Sequence, residues 1–211
     1  MASLLHSKRL AAAARRQQIL GAADVLFVSQ GFEAVSMADI AGALGISRPA
    51  VYSYFASTEA MLEALLEERL AQLWQRLEVL IPAQSSAAAQ SLRSAPGFYA
   101  QLFAVLLEQS GTLSLLYCGG GPAFQDRRHA FMSELEGRLE LQVPGQHRLP
   151  GEAQRRPYQM TVVTHLLSAL AFFAVQRQLP DAHRLADTLD HFIQGGLNEL
   201  TKAELAEAKP V

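Results

Sequence analysis

Apolar residues recur along this chain at intervals of three and four, the spacing of one face of an α-helix. The clearest series is formed by leucines that follow one another at steps of four or three residues, namely Leu62, Leu66, Leu70, Leu73, Leu77 and Leu80. No window alternates apolar and polar residues over the length of a strand. The pattern therefore predicts an all-α protein.

Residues that typically start and stop helices divide this pattern into segments. Gly31 ends a first helix near Gln30, and Pro82 ends a long helix that Ser57 opens. The other predicted helices are 36–44, 47–55, 96–109, 123–141, 154–178 and 182–206. The segments at 83–95, 119–122 and 144–151 are rich in Ser, Gly or Pro and predict loops.

Two of the short helices meet at Leu44-Gly45-Ile46, and their spacing is that of a helix-turn-helix. A tight turn between crossing helices requires a positive φ, which Gly45 adopts without steric cost. Ile40, Leu44, Ile46 and Val51 are expected to point inward and fix the crossing angle. Because the second helix of such a motif lies in the DNA major groove, this stretch predicts a DNA-binding module.

The polar side chains of the motif suit contacts with DNA. Ser47 is expected to cap the second helix by accepting from a backbone N–H in its first turn. The hydroxyls of Ser36 and Ser47 and the free N–H groups at both helix starts lie where phosphate oxygens would be. Arg48 is expected to contact a guanine edge or a phosphate, and Tyr52 and Tyr54 the DNA backbone.

Composition and charge restrict where DNA can bind. The chain has 211 residues and a net charge of −2, so a site for nucleic acid must be local. The first 20 residues carry four basic side chains and no acid, namely Lys8, Arg9, Arg15 and Arg16. With half of its residues hydrophobic, the chain has ample apolar surface to fold.

The sequence carries no pattern typical of catalysis, a metal or a cofactor. One cysteine, Cys118, excludes a disulfide framework and a multi-thiolate zinc site. The six histidines form no pairs at a spacing of four, and neither a Walker lysine nor a Gly-x-Ser-x-Gly motif is present. We therefore expect a non-enzymatic protein without a cofactor.

The N-terminus lacks the apolar run of a signal peptide. The longest uncharged apolar stretch identified, residues 162–175, is shorter than the roughly 20 residues that a membrane span needs. We therefore expect a soluble cytoplasmic protein that does not enter a membrane.

Residues 15–66 resemble the TetR family of one-component bacterial repressors. The matching segments are Phe27-Val-Ser-Gln-Gly-Phe32, Val35-Ser-Met-Ala-Asp-Ile-Ala41, Gly45-Ile-Ser47, Val51-Tyr-Ser-Tyr-Phe55, Ser57-Thr-Glu59 and Leu62. The resemblance implies a three-helix DNA-binding domain at 1–56 and a helical ligand-binding and dimerisation domain at 57–211. It also implies that Ser36, Arg48, Tyr52 and Tyr54 touch DNA.

The chain departs from the family pattern at Thr58. Family members usually carry a lysine at this position, at the start of the fourth helix, where it contacts a phosphate. Thr58 retains a hydrogen-bonding group but brings no charge. We expect the basic N-terminal arm, including Arg15 and Arg16, to compensate by following the minor groove.

The last two helices predict a homodimer. The segment 160–175 is apolar on nearly all sides, so one side is free to meet another chain. Two helices from each protomer then form a four-helix interface, as the resemblance also implies. The alternative is a monomer with a fully buried central helix. The interface candidates are Leu166, Leu170, Phe173, Leu189, Phe192 and Leu197. A two-fold dimer predicts an inverted-repeat operator of double-stranded DNA.

Several aromatic and apolar residues lie on the helices that, by the resemblance, enclose a ligand cavity. A mostly apolar cavity suits a small hydrophobic or aromatic effector. The alternative for each residue is ordinary core packing, and for His165 a position in the dimer interface. The candidates are Tyr99, Phe103, Leu106, Tyr117, Cys118, Phe124, Phe131 and His165.

These features together predict a ligand-responsive transcriptional regulator, a repressor by the resemblance. It binds its operator as a dimer and is released by an effector that favours a different spacing of the two recognition helices. The alternative is a protein-interaction adaptor that kept the helix-turn-helix fold and lost DNA binding.

Overall fold

The computed structural model describes residues 2–82, 95–118, 122–141 and 157–207. All regular elements in these ranges are helical, which confirms the predicted class. The helices are α1 (Ala2–Gln30), α2 (Met37–Leu44), α3 (Arg48–Tyr52), α4 (Thr58–Leu77), α5 (Phe98–Glu108), α6 (Ser110–Cys118), α7 (Pro122–Leu141), α8 (Pro157–Gln176) and α9 (Ala182–Glu207), with a 3₁₀ turn at Phe32–Ala34.

The chain divides into two compact units. The first comprises Met1–Gln72 together with Ser114–Gln125, and the second comprises Leu73–Leu113 together with Asp126–Val211. The division falls inside α4 and again at α6 and α7. The functional domain boundary expected between residues 56 and 57 stays a prediction.

An apolar stripe of α1 provides much of the core of the first unit. Ile19, Ala23 and Phe27 follow the helical spacing expected from the sequence, and all three are buried. Phe27 packs edge to face on Phe32 with ring centroids 5.2 Å apart. Phe124, at the start of α7, lies 5.8 Å from Phe32. The first unit therefore contains a residue from far along the chain.

The second unit is built around α5, which packs against both α8 and α9. The start of α5 has no local side-chain cap. Instead, the buried carboxylate of Asp190 on α9 accepts from the backbone N–H groups of Gly97 (3.0 Å), Tyr99 (2.8 Å) and Ala100 (3.4 Å). Gln194, one turn later, donates to the carbonyl of Ala95 at 3.0 Å. A residue of α9 thus supplies the cap that the sequence around α5 lacks.

Two helices are shorter than the sequence predicted. α3 ends at Tyr52 rather than near Phe55, because the chain turns there and brings Phe55 into the core. α4 ends at Leu77 rather than at residue 82, and a turn with an Ile81 N–H to Leu77 carbonyl bond of 2.7 Å then buries Ile81. In both cases the turn after the helix buries one apolar side chain.

Helix α6 was missed, since its sequence contains Ser, Gly and Thr, which have weak helix propensity. Leu113, Leu115 and Leu116 are nevertheless fully buried. Of the loops expected at 83–95, 119–122 and 144–151, residues 83–94, 119–121 and 144–151 lie outside the described residues, and Pro122 begins α7. Residues 154–156 of the helix predicted from residue 154 also lie outside them.

Helix α8 is longer than the stretch counted in the sequence. Its residues Tyr158–Gln176 are apolar and numerous enough to cross a membrane by length and composition, and 39% of that window is buried inside the protein. A core helix of a soluble protein meets the same criterion, so this finding is weak support for a span. The absence of a membrane partner stays a prediction.

Candidate nucleic-acid interface

The helix-turn-helix begins with a reciprocal cap on α2. Ser36 Oγ accepts from the Asp39 N–H at 3.4 Å, and Asp39 Oδ2 accepts from the Ser36 N–H (2.9 Å) and Oγ (2.6 Å). The hydrogen bonds from the Ser36 hydroxyl and N–H, together with the charge of Arg48, hold the pKa of Asp39 below its ordinary value. Asp39 was missed, although an acid three residues after a capping serine is the signature of this motif.

The turn between α2 and α3 has the geometry that the sequence predicted. Gly45 is left-handed, with φ 63° and ψ 31°. Its N–H donates to Gly42 at 3.1 Å, and the Ile46 N–H donates to the Ala41 carbonyl at 3.0 Å, as in a Schellman motif. Ile40 is buried as expected, whereas Ile46 is only half-buried. Leu44 is also half-buried, so it and Ile46 contribute less to the core than predicted.

Helix α3 presents the predicted DNA-contact residues on its outer face. Ser47 accepts from the Ala50 N–H at 3.4 Å, which confirms the predicted cap. Val51 is fully buried and anchors the helix to the unit. Arg48 and Tyr52, the first and last residues of α3, lie one helical turn apart and are both exposed, Tyr52 by 54%.

Tyr54 and Phe55, just after α3, have different environments. Tyr54 is half-buried, and its backbone N–H bonds to the Val51 carbonyl at 3.0 Å. Phe55 lies in the core, as predicted. A hydroxyl contact from Tyr54 to DNA stays a prediction, since part of this side chain packs on the protein.

Helix α4 begins with a serine cap and an acid. Ser57 Oγ accepts from the Ala60 N–H at 3.3 Å. A hydrogen bond from the Ser57 side chain and a second one from the backbone N–H of Glu59 itself lower the pKa of Glu59. Thr58, where the family usually carries lysine, directs its hydroxyl to Glu59 Oε2 at 3.4 Å. A phosphate that approached the start of α4 would therefore meet neutral hydrogen-bond donors next to a carboxylate.

Arg15 and Arg16, in the middle of α1, differ in their contacts. Arg15 is exposed, and among the side chains that the structure describes its guanidinium bonds to Gln18 alone, at 3.0 Å within the same helix. Arg16 is half-buried. Its guanidinium lies 4.8 Å from the centroid of the Phe55 ring and 3.6 Å from Glu68 Oε1. Arg16 thus connects α1 with Phe55, in the segment between α3 and α4, and with Glu68 on α4.

The ligand candidates are divided between the two units. Tyr117 and Phe124 belong to the first unit, and Tyr99, Phe103, Leu106, Phe131 and His165 belong to the second. Five of these residues are buried, namely Tyr99, Phe103, Leu106, Phe124 and Phe131, whereas Tyr117 is half-buried. The side chain of Cys118 lies outside the described part of the structure. A ligand role for any of them stays a prediction.

His165 lies on the exposed side of α8, with its Nδ1 2.8 Å from the Thr161 carbonyl and 3.6 Å from Glu136 Oε1. An open groove of about 370 Å³ lies beside α5 and contains Val79, Val105 and the Arg76–Glu108 ion pair. None of the ligand candidates lines this groove.

The predicted dimer residues have unequal exposure in the protomer. Phe173 on α8 is 47% exposed and Phe192 on α9 is 70% exposed. Leu166, Leu170 and Leu197 are half-buried. Leu189 is buried within its own protomer, because it lies on the same face of α9 as Ala186 and Ile193. The exposed side of α8 carries further apolar residues, Tyr158 and Val162.

Within the described ranges, no three histidine, cysteine or acidic side chains come together in an arrangement that could hold a metal ion. The geometry of the first unit therefore depends on helix caps, an apolar core and exposed polar side chains.

A family model described as bacterial regulatory proteins, tetR family, matches residues 19–65. The chain is similar to the uncharacterized HTH-type transcriptional regulator YfiR of Bacillus subtilis, with 39% identity over 64 residues, 30% of this chain and 31% of the relative. It is also similar to the HTH-type transcriptional repressor BdcR of Escherichia coli, with 40% identity over 52 residues, 25% of this chain and 26% of the relative. Each match thus spans about a third or less of the curated relative's length.

Among solved structures, a TetR-like transcriptional regulator from Rhodococcus sp. RHA1 shares the fold, with a TM-score of 0.64 and 21% identity. The match covers 88% of this chain and 97% of that one. The shared fold thus extends well beyond the helix-turn-helix. Residues 19–65 thus match the tetR family model, and the chain as a whole shares the helical fold of a TetR-like transcriptional regulator.

Proposed function

We propose that this protein is a cytoplasmic transcriptional repressor that binds an inverted-repeat operator as a homodimer. The observation that carries the proposal is the outer face of α3, where Arg48 and Tyr52 extend into solvent from a helix fixed by the buried Val51. A short helix held by a serine cap and a glycine turn presents such side chains to base edges and phosphates.

A homodimer is supported by the exposed apolar surfaces of α8 and α9. Phe173 and Phe192 lose contact with water when a second copy covers them, which favours association. Gly195 and Gly196 lie about one turn after Phe192, and a Cβ added at either position would have no atom within 4 Å. Two glycines on the open side of α9 suit the close approach of a helix from the partner.

Repression and release by a small molecule are supported by the family and by the layout of the chain. BdcR, to which the N-terminal region is similar, is a repressor. The second unit has a large apolar core around α5. Since α4 has residues in both units, an effector that moves α4 alters the unit that carries α3. The effector shifts the equilibrium only by its differential affinity for the two states.

The test is fluorescence anisotropy with labelled DNA from upstream of the protein's own gene. Wild-type protein should bind this DNA far more tightly than a scrambled duplex of the same length. Tyr52→Ala and Arg48→Ala should each weaken binding about tenfold or more. Val79→Ala is the control, because Val79 is also exposed but lies outside α3, α8 and α9.

Tyr52→Phe tests whether the hydroxyl itself contacts DNA, since it leaves the ring in place. Binding to the scrambled duplex with the same affinity, or equal losses for the Tyr52 and Val79 variants, would contradict the proposal. Those results would favour a protein-interaction adaptor.

A further inference from the structure

Helix α8 buries two hydroxyl groups that have no hydrogen-bond partner. Thr164 Oγ1 and Ser168 Oγ are both inaccessible to solvent, and neither forms a hydrogen bond. The two residues lie one helical turn apart on the buried side of α8, beside Met160, Leu167 and Ala171. Buried polar groups in native proteins nearly always have partners, so a pair without them requires an explanation.

Thr112 Oγ1 on α6 is also buried without a hydrogen-bond partner, whereas the hydroxyls of two other helical residues bond to the backbone. Thr188 on α9 donates to the Arg184 carbonyl at 2.7 Å, and Ser29 on α1 donates to the Val25 carbonyl at 2.7 Å. This bond to the carbonyl four residues earlier is the usual way in which a helical Ser or Thr is satisfied. Thr164 and Ser168 do not make it, so their hydroxyls remain available to a group that enters the interior.

The charges around these hydroxyls restrict what that group can be. Among the buried side chains in the described ranges there is no lysine, arginine or histidine. The partly buried cations in the described part of the second unit are Arg127, Arg128 and Arg138. The guanidinium of Arg138 pairs with Glu78 and Glu134, and Arg127 and Arg128 also have partners. A buried carboxylate or phosphate on a ligand would therefore lack a counter-charge, which makes its burial unfavourable.

A cationic ligand is disfavoured by a similar argument. Asp190 is the buried acid of the described part, and its oxygens already accept from the backbone of α5 and from Gln194. A hydroxyl both donates and accepts, so its best match is a neutral oxygen. Side chains one turn apart have Cβ atoms roughly 5–6 Å apart, close enough for one oxygen to bond both hydroxyls.

We propose that Thr164 and Ser168 bind the uncharged oxygen of an otherwise apolar effector, such as an alcohol or a ketone. This inference rests on the proposed ligand-responsive function and specifies the chemical class of its effector. The two hydroxyls provide the polar contact, and the apolar residues beside them contact the hydrocarbon part.

The test compares three probes with the same chain and different head groups: 1-decanol, decanoate and decylammonium. Each is added to the full-length protein below its micellar concentration. Binding is measured by the shift in the thermal unfolding midpoint and by the fluorescence of Trp74, the single tryptophan of the sequence. Trp74 lies in the second unit, where its ring centroid is 5.2 Å from that of Phe131. We expect 1-decanol to bind at least tenfold more tightly than either charged probe.

Thr164→Val replaces the hydroxyl by a methyl group of the same shape. Since this removes an unpaired buried hydroxyl, the variant should unfold at a higher temperature than the wild type without ligand, yet bind 1-decanol at least tenfold more weakly. A purely structural role would not produce these opposite changes. Thr164→Ser keeps the hydroxyl and should keep the preference for 1-decanol. Thr188→Val is the matched control and should bind 1-decanol like the wild type.

Decanoate binding more tightly than 1-decanol, no binding of any probe, or unchanged 1-decanol affinity in Thr164→Val would each overturn the proposed site. DNA anisotropy on the same samples separates this site from the wider function. If 1-decanol binds through Thr164 but leaves DNA affinity unchanged, the site is supported and effector release is refuted.

Discussion

Replacing Arg15 or Arg16 by alanine separates a DNA contact from a packing contact in adjacent residues. Both arginines belong to the basic segment expected to follow DNA. Within the described residues, Arg15 bonds only to Gln18 of its own helix, whereas Arg16 is held by Phe55 and Glu68. We therefore expect Arg15 to contact phosphate and Arg16 to fix α1 and α4 around the end of α3.

The two variants differ in the magnitudes expected from these contacts. Each protomer that loses one phosphate contact lowers the slope of log affinity against log salt by about 0.9, so Arg15→Ala should lower it by about 1.8 per dimer. Between 50 and 200 mM salt this corresponds to about a tenfold smaller loss of affinity. The free energy of unfolding of Arg15→Ala should stay within about 0.5 kcal/mol of the wild type.

For Arg16→Ala the pattern is reversed. A cation–π contact at a partly exposed site contributes about 0.5–1 kcal/mol, and an exposed ion pair about 0.2–1 kcal/mol. The free energy of unfolding should therefore fall by about 1–1.5 kcal/mol. DNA affinity should fall by the same factor at every salt concentration. The variant loses the packing on Phe55 that holds the end of α3, and it loses no phosphate contact.

The assays are urea unfolding and fluorescence anisotropy at five salt concentrations with the upstream DNA. Glu68→Gln is the control that removes the charge of the ion pair and leaves the cation–π contact, so it should cost less than about 0.5 kcal/mol. Equal reductions of the salt slope in Arg15→Ala and Arg16→Ala would refute the distinction, since Arg16 would then contact phosphate despite Glu68.

Four further predictions follow from the geometry. Gly45→Ala should destabilise the protein by about 1 kcal/mol because φ is positive there, whereas Gly42→Ala, inside α2, should stabilise it by about 0.5 kcal/mol, both measured by urea unfolding. Asp190→Ala should cost about 3 kcal/mol in the same assay, because the N–H groups at the start of α5 lose their acceptor. Phe192→Asp should convert the proposed dimer into a monomer in sedimentation and weaken DNA binding at least tenfold. The pKa of Asp39 is lowered in the folded protein from its ordinary value of 3.8, so the ionised carboxylate stabilises the fold above that pH and this stabilisation is lost as the pH falls below it. Asp39→Asn should therefore reduce the difference in the free energy of unfolding between pH 6 and pH 3, measured by urea unfolding.

Controls on the same elements make these results interpretable. Asp187→Ala, on the exposed side of α9, should leave stability within about 0.5 kcal/mol of the wild type. Val79→Asp introduces the same charge as Phe192→Asp on an exposed residue outside α8 and α9, and should leave the oligomeric state unchanged. A dimer that survives Phe192→Asp would argue that another surface forms the interface.

Features that depend on local chemistry were predictable from the sequence. The serine caps and the left-handed Gly45 follow from residues within one turn of the feature, and the structure contains all of them. The Asp39 cap was missed even though it is equally local, because only the serine half of the pattern was considered.

Features that depend on distant residues were not predictable in this way. Nothing near Gly97 indicates that Asp190, more than 90 residues later, caps α5. Helix α6 has weak intrinsic propensity and forms because its leucines are buried by other parts of the chain. The exposure of Phe192 and the burial of Leu189 also depend on how α9 packs, since both have the same apolar character in the sequence.

The first unit combines two separate stretches of the chain, and Phe124 from the second stretch packs on Phe32 near the start of α2. A fragment cut after residue 72 would expose that aromatic ring and lose part of its own core. The helix-turn-helix therefore cannot be transferred to another protein with residues 1–72 alone without loss of part of its core. A chimaera made by recombination within α4 must therefore also carry a second stretch, Ser114–Gln125, that is compatible with the first. Related proteins of this architecture are thus expected to diversify by substitution inside the second unit more readily than by exchange of the whole unit.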